Sequence, residues 1–379
     1  MTKRIVLCFC LLNFIFMSLV SANPPEITAK SAILIEASTG RVVYEKNPDE
    51  RMMPASMTKM ITAIIAIEKY KMTDEIRISR NAAETEDEAM PLAANDIITM
   101  ENLLRALMLE SDNGSAVAIA EYTAGDVKSF AKLMNKKAKE IGCEETNFVT
   151  PNGLPDSRHL STARDMAKIA AYAMRSERFR ELVSIKNTNM FWVLPKDKIA
   201  PLENTNKLLW TFQGITGIKT GWTSAAGGCL AASAKRKDLE LIAIVMNSYD
   251  ANSRFKEAAD LLEYGFSKVR TVKGPSKDEL KRTVWIKGGE FHVLPVVPSE
   301  DIVYPLLEGD NINRYSLQYN LPKIVSAPVK KGDKVGEIII NYQKSEVGRI
   351  DLVATADAYE GFSFLSYFFV GLMYYLGVR

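Results

Sequence analysis

Histidine is nearly missing from this chain: His159 and His292 are the only two in 379 residues. Nothing in the sequence has metal-ligand spacing, so imidazole-based metal chemistry lacks its donors. Cysteine is scarce as well, with four residues, of which Cys8 and Cys10 fall in an N-terminal apolar run. Cys143 and Cys229 lie too far apart in sequence to read as a disulfide framework and are expected to be two small buried hydrophobes. No Gly-rich phosphate cradle is present, and neither a metal nor an organic cofactor is expected. An excess of one charge is also absent. The 48 Lys and Arg nearly balance the 46 Asp and Glu, which leaves no nucleic-acid footprint.

Both ends of the chain carry apolar runs. Lys3 and Arg4 precede a run from Ile5 to Val20, followed by Val20-Ser21-Ala22 and then Asn23-Pro24-Pro25. A charged start, an apolar middle and a small-residue cleavage site make a secretory signal peptide of residues 1–22. The run is shorter than the roughly 20 residues a membrane span needs, which weighs against a retained anchor. At the other end, Phe362 to Val378 contains only Phe, Ser, Leu, Tyr, Val, Gly and Met, closed by Arg379. The expectation is a membrane-associated helix within residues 355–379, with span and interfacial helix both open. The protein is therefore expected to be exported and held on the outer face of the cytoplasmic membrane.

Between these ends the stretch Pro54-Ala55-Ser56-Met57-Thr58-Lys59 opens an apolar helical run through Met60, Ile61, Ala63, Ile64, Ile65 and Ile67. Ser56 and Lys59 stand three residues apart, on one face of a helix. Their hydroxyl and amine can meet without any long-range closure. A hydroxyl is a weak nucleophile until a base takes its proton. Lysine is such a base only where burial or a neighbouring cation lowers its pKa. An isolated S-x-x-K is most often just a helix N-cap.

Two further stretches change that reading. Ser111-Asp112-Asn113 interrupts a helical run from Met100 to Glu110, before an Ala-rich helix from Gly114 to Tyr122. Lys219-Thr220-Gly221 sits in a strand-like stretch that continues into Trp222. S-x-x-K, S-D-N and K-T-G in this order form the motif set of class A β-lactamases and penicillin-binding proteins. The chain resembles the serine D-Ala-D-Ala carboxypeptidases, the low-molecular-mass penicillin-binding proteins, from leader to tail.

That resemblance implies an α/β (α+β) β-lactamase/transpeptidase-like catalytic domain over residues 23–270, with a central antiparallel sheet flanked by helices. It implies that Ser56 attacks the carbonyl between two D-alanines, with Lys59 as the base, kept neutral partly by the Lys219 cation. Ser111 relays the proton and Asn113 orients the substrate amide. The backbone N–H groups of Ser56 and Trp222 form the oxyanion hole. Lys219, Thr220 and Arg254 hold the terminal carboxylate beside Gly221. The implied partners are peptidoglycan stem peptides and β-lactam antibiotics, together with a membrane surface at the C-terminal helix.

Two positions depart from the family pattern. Asp112 stands where carboxypeptidases of this kind often have glycine, and it either points away from the site or retunes Lys59. Trp222 stands where histidine or tyrosine is common, which changes the pocket wall but keeps a backbone donor. A β-lactamase reading lacks the deacylating E-x-x-L-N stretch, which does not occur between Asn113 and Lys219. Endopeptidase or transpeptidase action uses the same acyl-enzyme with another leaving group or acceptor. An idle wall-binding protein has no use for an activated nucleophile.

The remaining stretches are read from their patterns. Ala32–Ile35 and Arg41–Tyr44 flank a Ser38-Thr39-Gly40 loop and predict a hairpin. The stretch Asn147 to Leu154, with its Pro, Asn and Gly, reads as an ordinary loop without a catalytic role. His159 just beyond it has no paired acid and is read as a surface group. Arg254 to Phe266 repeats apolar residues at helical spacing. After about Val269 short β-rich runs separated by Gly-containing turns predict a small all-β domain over 271–354, read as a spacer.

Overall fold

A computed structural model describes residues 23–361 except Glu88, together with Leu372 and Tyr375. The expected leader lies outside the described residues, and so does the expected anchor from Phe362 onward apart from Leu372 and Tyr375. Among the described residues no helix is long and apolar enough to cross a membrane.

The hairpin forms as expected, with β1 at Ser31–Glu36 and β2 at Val42–Lys46. A 3-10 turn, Ala55–Thr58, then leads into α1, Lys59–Lys69. Next come β3 (Glu75–Arg77), α2 (Arg80–Ala83), β4 (Ile97–Thr99) and α3 (Met100–Arg105). Helices α4 (Asn113–Ala124), α5 (Val127–Ile141), α6 (Ala163–Ala173) and α7 (Glu177–Ser184) follow. After a hairpin of β5 (Asn187–Leu194) and β6 (Ile199–Glu203) comes the short α8 (Leu208–Thr211). The catalytic unit closes with β7 (Ile215–Thr223), β8 (Gly227–Arg236), β9 (Leu239–Ser248) and α9 (Ser253–Lys268).

Five of these strands make an antiparallel sheet in the order β2-β1-β9-β8-β7. Side chains alternate across a strand, so one strand can feed two cores. Ile33 and Ile35 of β1, with Ile242 and Ile244 of β9, pack toward the helices that include α1 and α6. Ala32 and Leu34, with Ala243 and Val245, pack on the other face against Phe255, Leu261 and Leu262 of α9. Burial on both faces explains the unbroken apolar runs of β1 and β9. Strand β7 is left at the edge, with alternate backbone groups free to face a ligand. A second sheet has the order β3-β4-β5-β6.

The C-terminal part is sheet-rich, with strands β10–β13 at Arg270–Lys273, Arg282–Lys287, Val293–Pro298 and Val303–Leu306. Strands β14–β17 follow at Tyr315–Asn320, Ile324–Ser326, Lys334–Tyr342 and Ser345–Ala354. Six of them form one sheet, in the order β14-β16-β17-β12-β11-β15. This unit continues past Ala354, because Ala358 is buried in its core and Glu360 bridges to Gly289. Arg41 at the β1–β2 turn ties the two units together. It donates to both carboxylate oxygens of Asp310 (2.5 and 3.0 Å) and lies 4.3 Å over the Tyr342 ring.

Candidate active site

Ala55 enters the 3-10 turn with φ +48°, a left-handed conformation uncommon for a residue with a side chain. Ser56 follows it. In a 3-10 turn residues i and i+3 eclipse, so Ser56 and Lys59 are stacked more directly than in an α-helix. Lys59 is fully buried, and its Nζ has three neighbours: Ser56 Oγ at 2.9 Å, Asn113 Oδ1 at 2.7 Å and the Asn152 carbonyl at 2.8 Å. A neutral amine has two N–H groups and one lone pair. Asn113 Oδ1 and the Asn152 carbonyl can only accept, so they take the two N–H groups. The lone pair is then aimed at the Ser56 hydroxyl. Burial pulls the Lys59 pKa down to about 7, while the charge of Asp112 pushes it up. Burial is the leading cause that lowers Lys59, and the repulsion between the Lys59 and Lys219 amines adds to the burial that lowers Lys219.

The second motif is held by a change of helix. Helix α3 widens into a π-helical turn, Ala106–Glu110, and Ser111 leaves it with φ +66°. Asp112 then caps α4, accepting from the Ser115 N–H at 2.6 Å. Its other oxygen accepts from the N–H groups of Ala89 and Met90, both at 2.9 Å. The Asp112 carboxylate is thus buried and bonded to backbone N–H groups, and its charge raises the Lys59 pKa, as the retuning alternative expects. Asn113 is engaged at both ends, since its Nδ2 donates to the carbonyls of Glu86 (3.0 Å) and Asp87 (3.2 Å). The Ser111 hydroxyl makes no hydrogen bond among the described residues, and it stands next in the chain to the pair Asp112 and Asn113.

The third motif lies on edge strand β7. Lys219 is buried, and its Nζ has no hydrogen-bond partner among the described residues. Such an amine is costly unless a ligand completes it. Burial first, then Lys59 and Arg254, lowers its pKa well below the ordinary value. Thr220 Oγ1 lies 2.6 Å from Thr205 Oγ1. At Gly221 a Cβ would sit 3.1 Å from both Ser56 N and the Pro54 carbonyl, so glycine lets β7 press against the nucleophile turn. Trp222 is 56% exposed at the rim. Arg254 Nη1 donates to the Gly221 carbonyl and, at 3.5 Å, to that of Cys229, while its buried Nε has no partner among the described residues. This arginine opens α9 without penalty because an acid is supplied just upstream. Asp250 accepts from the N–H groups of Asn252 (2.6 Å) and Ser253 (2.9 Å) at that helix start.

Two expectations fail around 147–159. The loop read as having no catalytic role supplies the Asn152 carbonyl that fixes Lys59. His159 is not on the surface; it is 1% exposed, bonded to backbone and to Thr58. Thr205 was not singled out either. The Asn204-Thr205-Asn206 run was its only trace in the sequence. Cys143 and Cys229 are both free and buried, with thiols pushed up to about 12 and about 11, which makes them inert. No group of three or more His, Cys, Asp or Glu among the described residues could hold a metal ion.

A serine bonded to a buried lysine, next to a second buried amine that has no partner among the described residues of the edge strand and its surroundings, defines a serine acyl-transfer site. The sequence profile of D-alanyl-D-alanine carboxypeptidase matches residues 18–250, and that of the penicillin-binding protein 5 C-terminal domain matches 270–360. D-alanyl-D-alanine carboxypeptidase DacF of Bacillus subtilis is 32% identical over 87% of this chain and 85% of its own length. The crystal structure of penicillin binding protein 5 from Haemophilus influenzae is 30% identical, with a TM-score of 0.65 over 89% of this chain and 100% of that one. That of D-alanyl-D-alanine carboxypeptidase DacD from Francisella tularensis is 28% identical, with a TM-score of 0.65 over 90% and 97%. The chain belongs to the D-alanyl-D-alanine carboxypeptidase family.

Proposed function

We propose that this protein is a serine-type D-Ala-D-Ala carboxypeptidase, trimming the terminal D-alanine from peptidoglycan stem pentapeptides through an ester on Ser56. The observation that carries the reading is the 2.9 Å contact between Ser56 Oγ and a Lys59 amine whose pKa burial lowers to about 7, so that its neutral form is on hand as the base. The substrate backbone lies along the open edge of β7, as an added strand does. Lys219 and Arg254 take its terminal carboxylate with Thr220, and that anion supplies the partner the Lys219 amine lacks. As Lys59 removes the Ser56 proton, Oγ bonds to the carbonyl carbon, and the new oxyanion meets the N–H groups of Ser56 and Trp222. The C–N bond then breaks, and the proton passes through Ser111 to the leaving D-alanine amine. Water, activated by the same base, hydrolyses the ester. β-Lactams acylate the same serine.

The test is mass analysis of products from a stem pentapeptide and from its C-terminally amidated analogue. Wild type should release one D-alanine from the free acid. Arg254→Ala should lower kcat/KM for the free acid by about tenfold to 150-fold, the equivalent of one charge-assisted hydrogen bond of about 1.5–3 kcal/mol. The amide should be penalised far less. Equal losses on both substrates would mean that Arg254 shapes the pocket and does not read the carboxylate.

We further propose export and anchoring at the outer face of the cytoplasmic membrane, supported by the apolar sequence from Phe362 to Val378. Removing residues 362–379 should shift the protein from the membrane fraction to the soluble one. A truncated protein that still sediments with membranes would place the anchor elsewhere.

A further inference from the structure

His159 is a buried titratable side chain beside the nucleophile turn, and the chemistry above leaves it idle. Its Nδ1 accepts from the backbone N–H groups of Val149 (3.0 Å) and Thr150 (3.2 Å). A ring nitrogen that accepts amide protons carries none of its own. The ring proton is therefore on Nε2, which donates to Thr58 Oγ1 at 2.8 Å. From Thr150 the chain runs to Pro151, whose carbonyl accepts from Thr62 Oγ1 at 2.7 Å, and to Asn152, whose carbonyl accepts from Lys59 Nζ at 2.8 Å. Three successive loop residues are thus tied to His159, to Thr62 and to Lys59. The two nitrogens of one imidazole hold both walls of the slot that Lys59 Nζ occupies. One wall is the turn carrying Thr58; the other is the loop carrying the Asn152 carbonyl. The charge that acts on the ring is that of Asp156, itself paired with Arg158. Burial pushes the imidazole down to about 4, so it stays neutral while Lys59 titrates.

We propose that His159 is a positioning residue for the base: it fixes the Asn152 carbonyl, and through it the direction of the Lys59 lone pair at Ser56 Oγ. The proposal rests on the assignment of Lys59 as the base. A misplacement of about 1 Å in such a pair is worth on the order of 100-fold in rate.

Two variants separate the two nitrogens. His159→Asn keeps an acceptor near the Nδ1 position, whereas His159→Gln keeps a donor toward Thr58 and loses the acceptor. The rate of acylation by a penicillin, followed from about pH 5 to 9, should fall about 10- to 100-fold in the Gln variant, with its acidic limb displaced. The Asn variant should stay within about threefold of wild type, with the limb unmoved, and pentapeptide hydrolysis should lose kcat while KM holds. A Gln variant as fast as wild type overturns the proposal. So do equal losses in both variants that follow lost Tm with an unmoved limb, which would make His159 a packing residue. Lys59→Ala is measured alongside. If that variant acylates normally, the assignment of the base has failed; if it is inert while the Gln variant is normal, only the role of His159 has failed.

Discussion

Ser56→Ala is expected to leave the protein folded and unable to carry a penicilloyl group. The Ser56 side chain makes one hydrogen bond, to Lys59, and removing it opens no large cavity. The chemistry has no substitute, because a methyl group cannot form the ester. In acyl-transfer enzymes, removal of the nucleophile costs on the order of 10⁶ in kcat. Intact-mass spectrometry after incubation with a penicillin should show one added antibiotic on wild type and none on the variant. An adduct that persists in Ser56→Ala would remove the central assignment.

The second large effect is expected at Lys59. Lys59→Met fills the same buried slot without a base and should slow acylation by roughly 10²- to 10⁴-fold. The pH dependence gives the sign independently. Above about pH 7 the amine is neutral, and its lone pair faces Ser56. Below about pH 7 the ammonium form has only donors for Ser56, Asn113 and Asn152, and acylation should fall about tenfold per pH unit. Acylation rates across this range check both points. An acid-side limb that levels off only near the ordinary lysine value would mean a charged Lys59 at neutrality and would end its role as base.

Much of this site could be read from side chains alone. The spacing of Ser56 and Lys59 carried their contact, and the unbroken apolar run of Ala32 to Ile35 carried a strand that feeds two cores. What stayed hidden belongs mainly to the backbone. The group that orients Lys59 at position 152 is a carbonyl, which every residue owns, so no letter of the sequence marks it. His159 is satisfied chiefly by backbone N–H groups, and a search for a paired acid finds nothing. Sequence displays the Lys219 charge but not the depth at which Lys59 is buried, which is the leading cause of its low pKa. The β5–β6 hairpin escaped notice for a different reason. Phe191 and Leu194 are exposed, and Pro201 sits inside β6, so neither alternation nor composition announces the strands.

The close contacts around Ser56 also determine how this enzyme is lost by mutation. At Gly153 (φ +88°) a Cβ would lie 2.0 Å from the Ala55 carbonyl, and at Gly221 it would lie 3.1 Å from Ser56 N. Neither glycine has a functional group, yet the nucleophile turn is confined between their two backbones. A single methyl group at 153 must displace that turn, and one at 221 crowds it. The genetic target for inactivation, or for escape from an acylating antibiotic, is therefore wider than the set of residues that handle protons and carboxylates. It includes positions where the only requirement is that nothing be there.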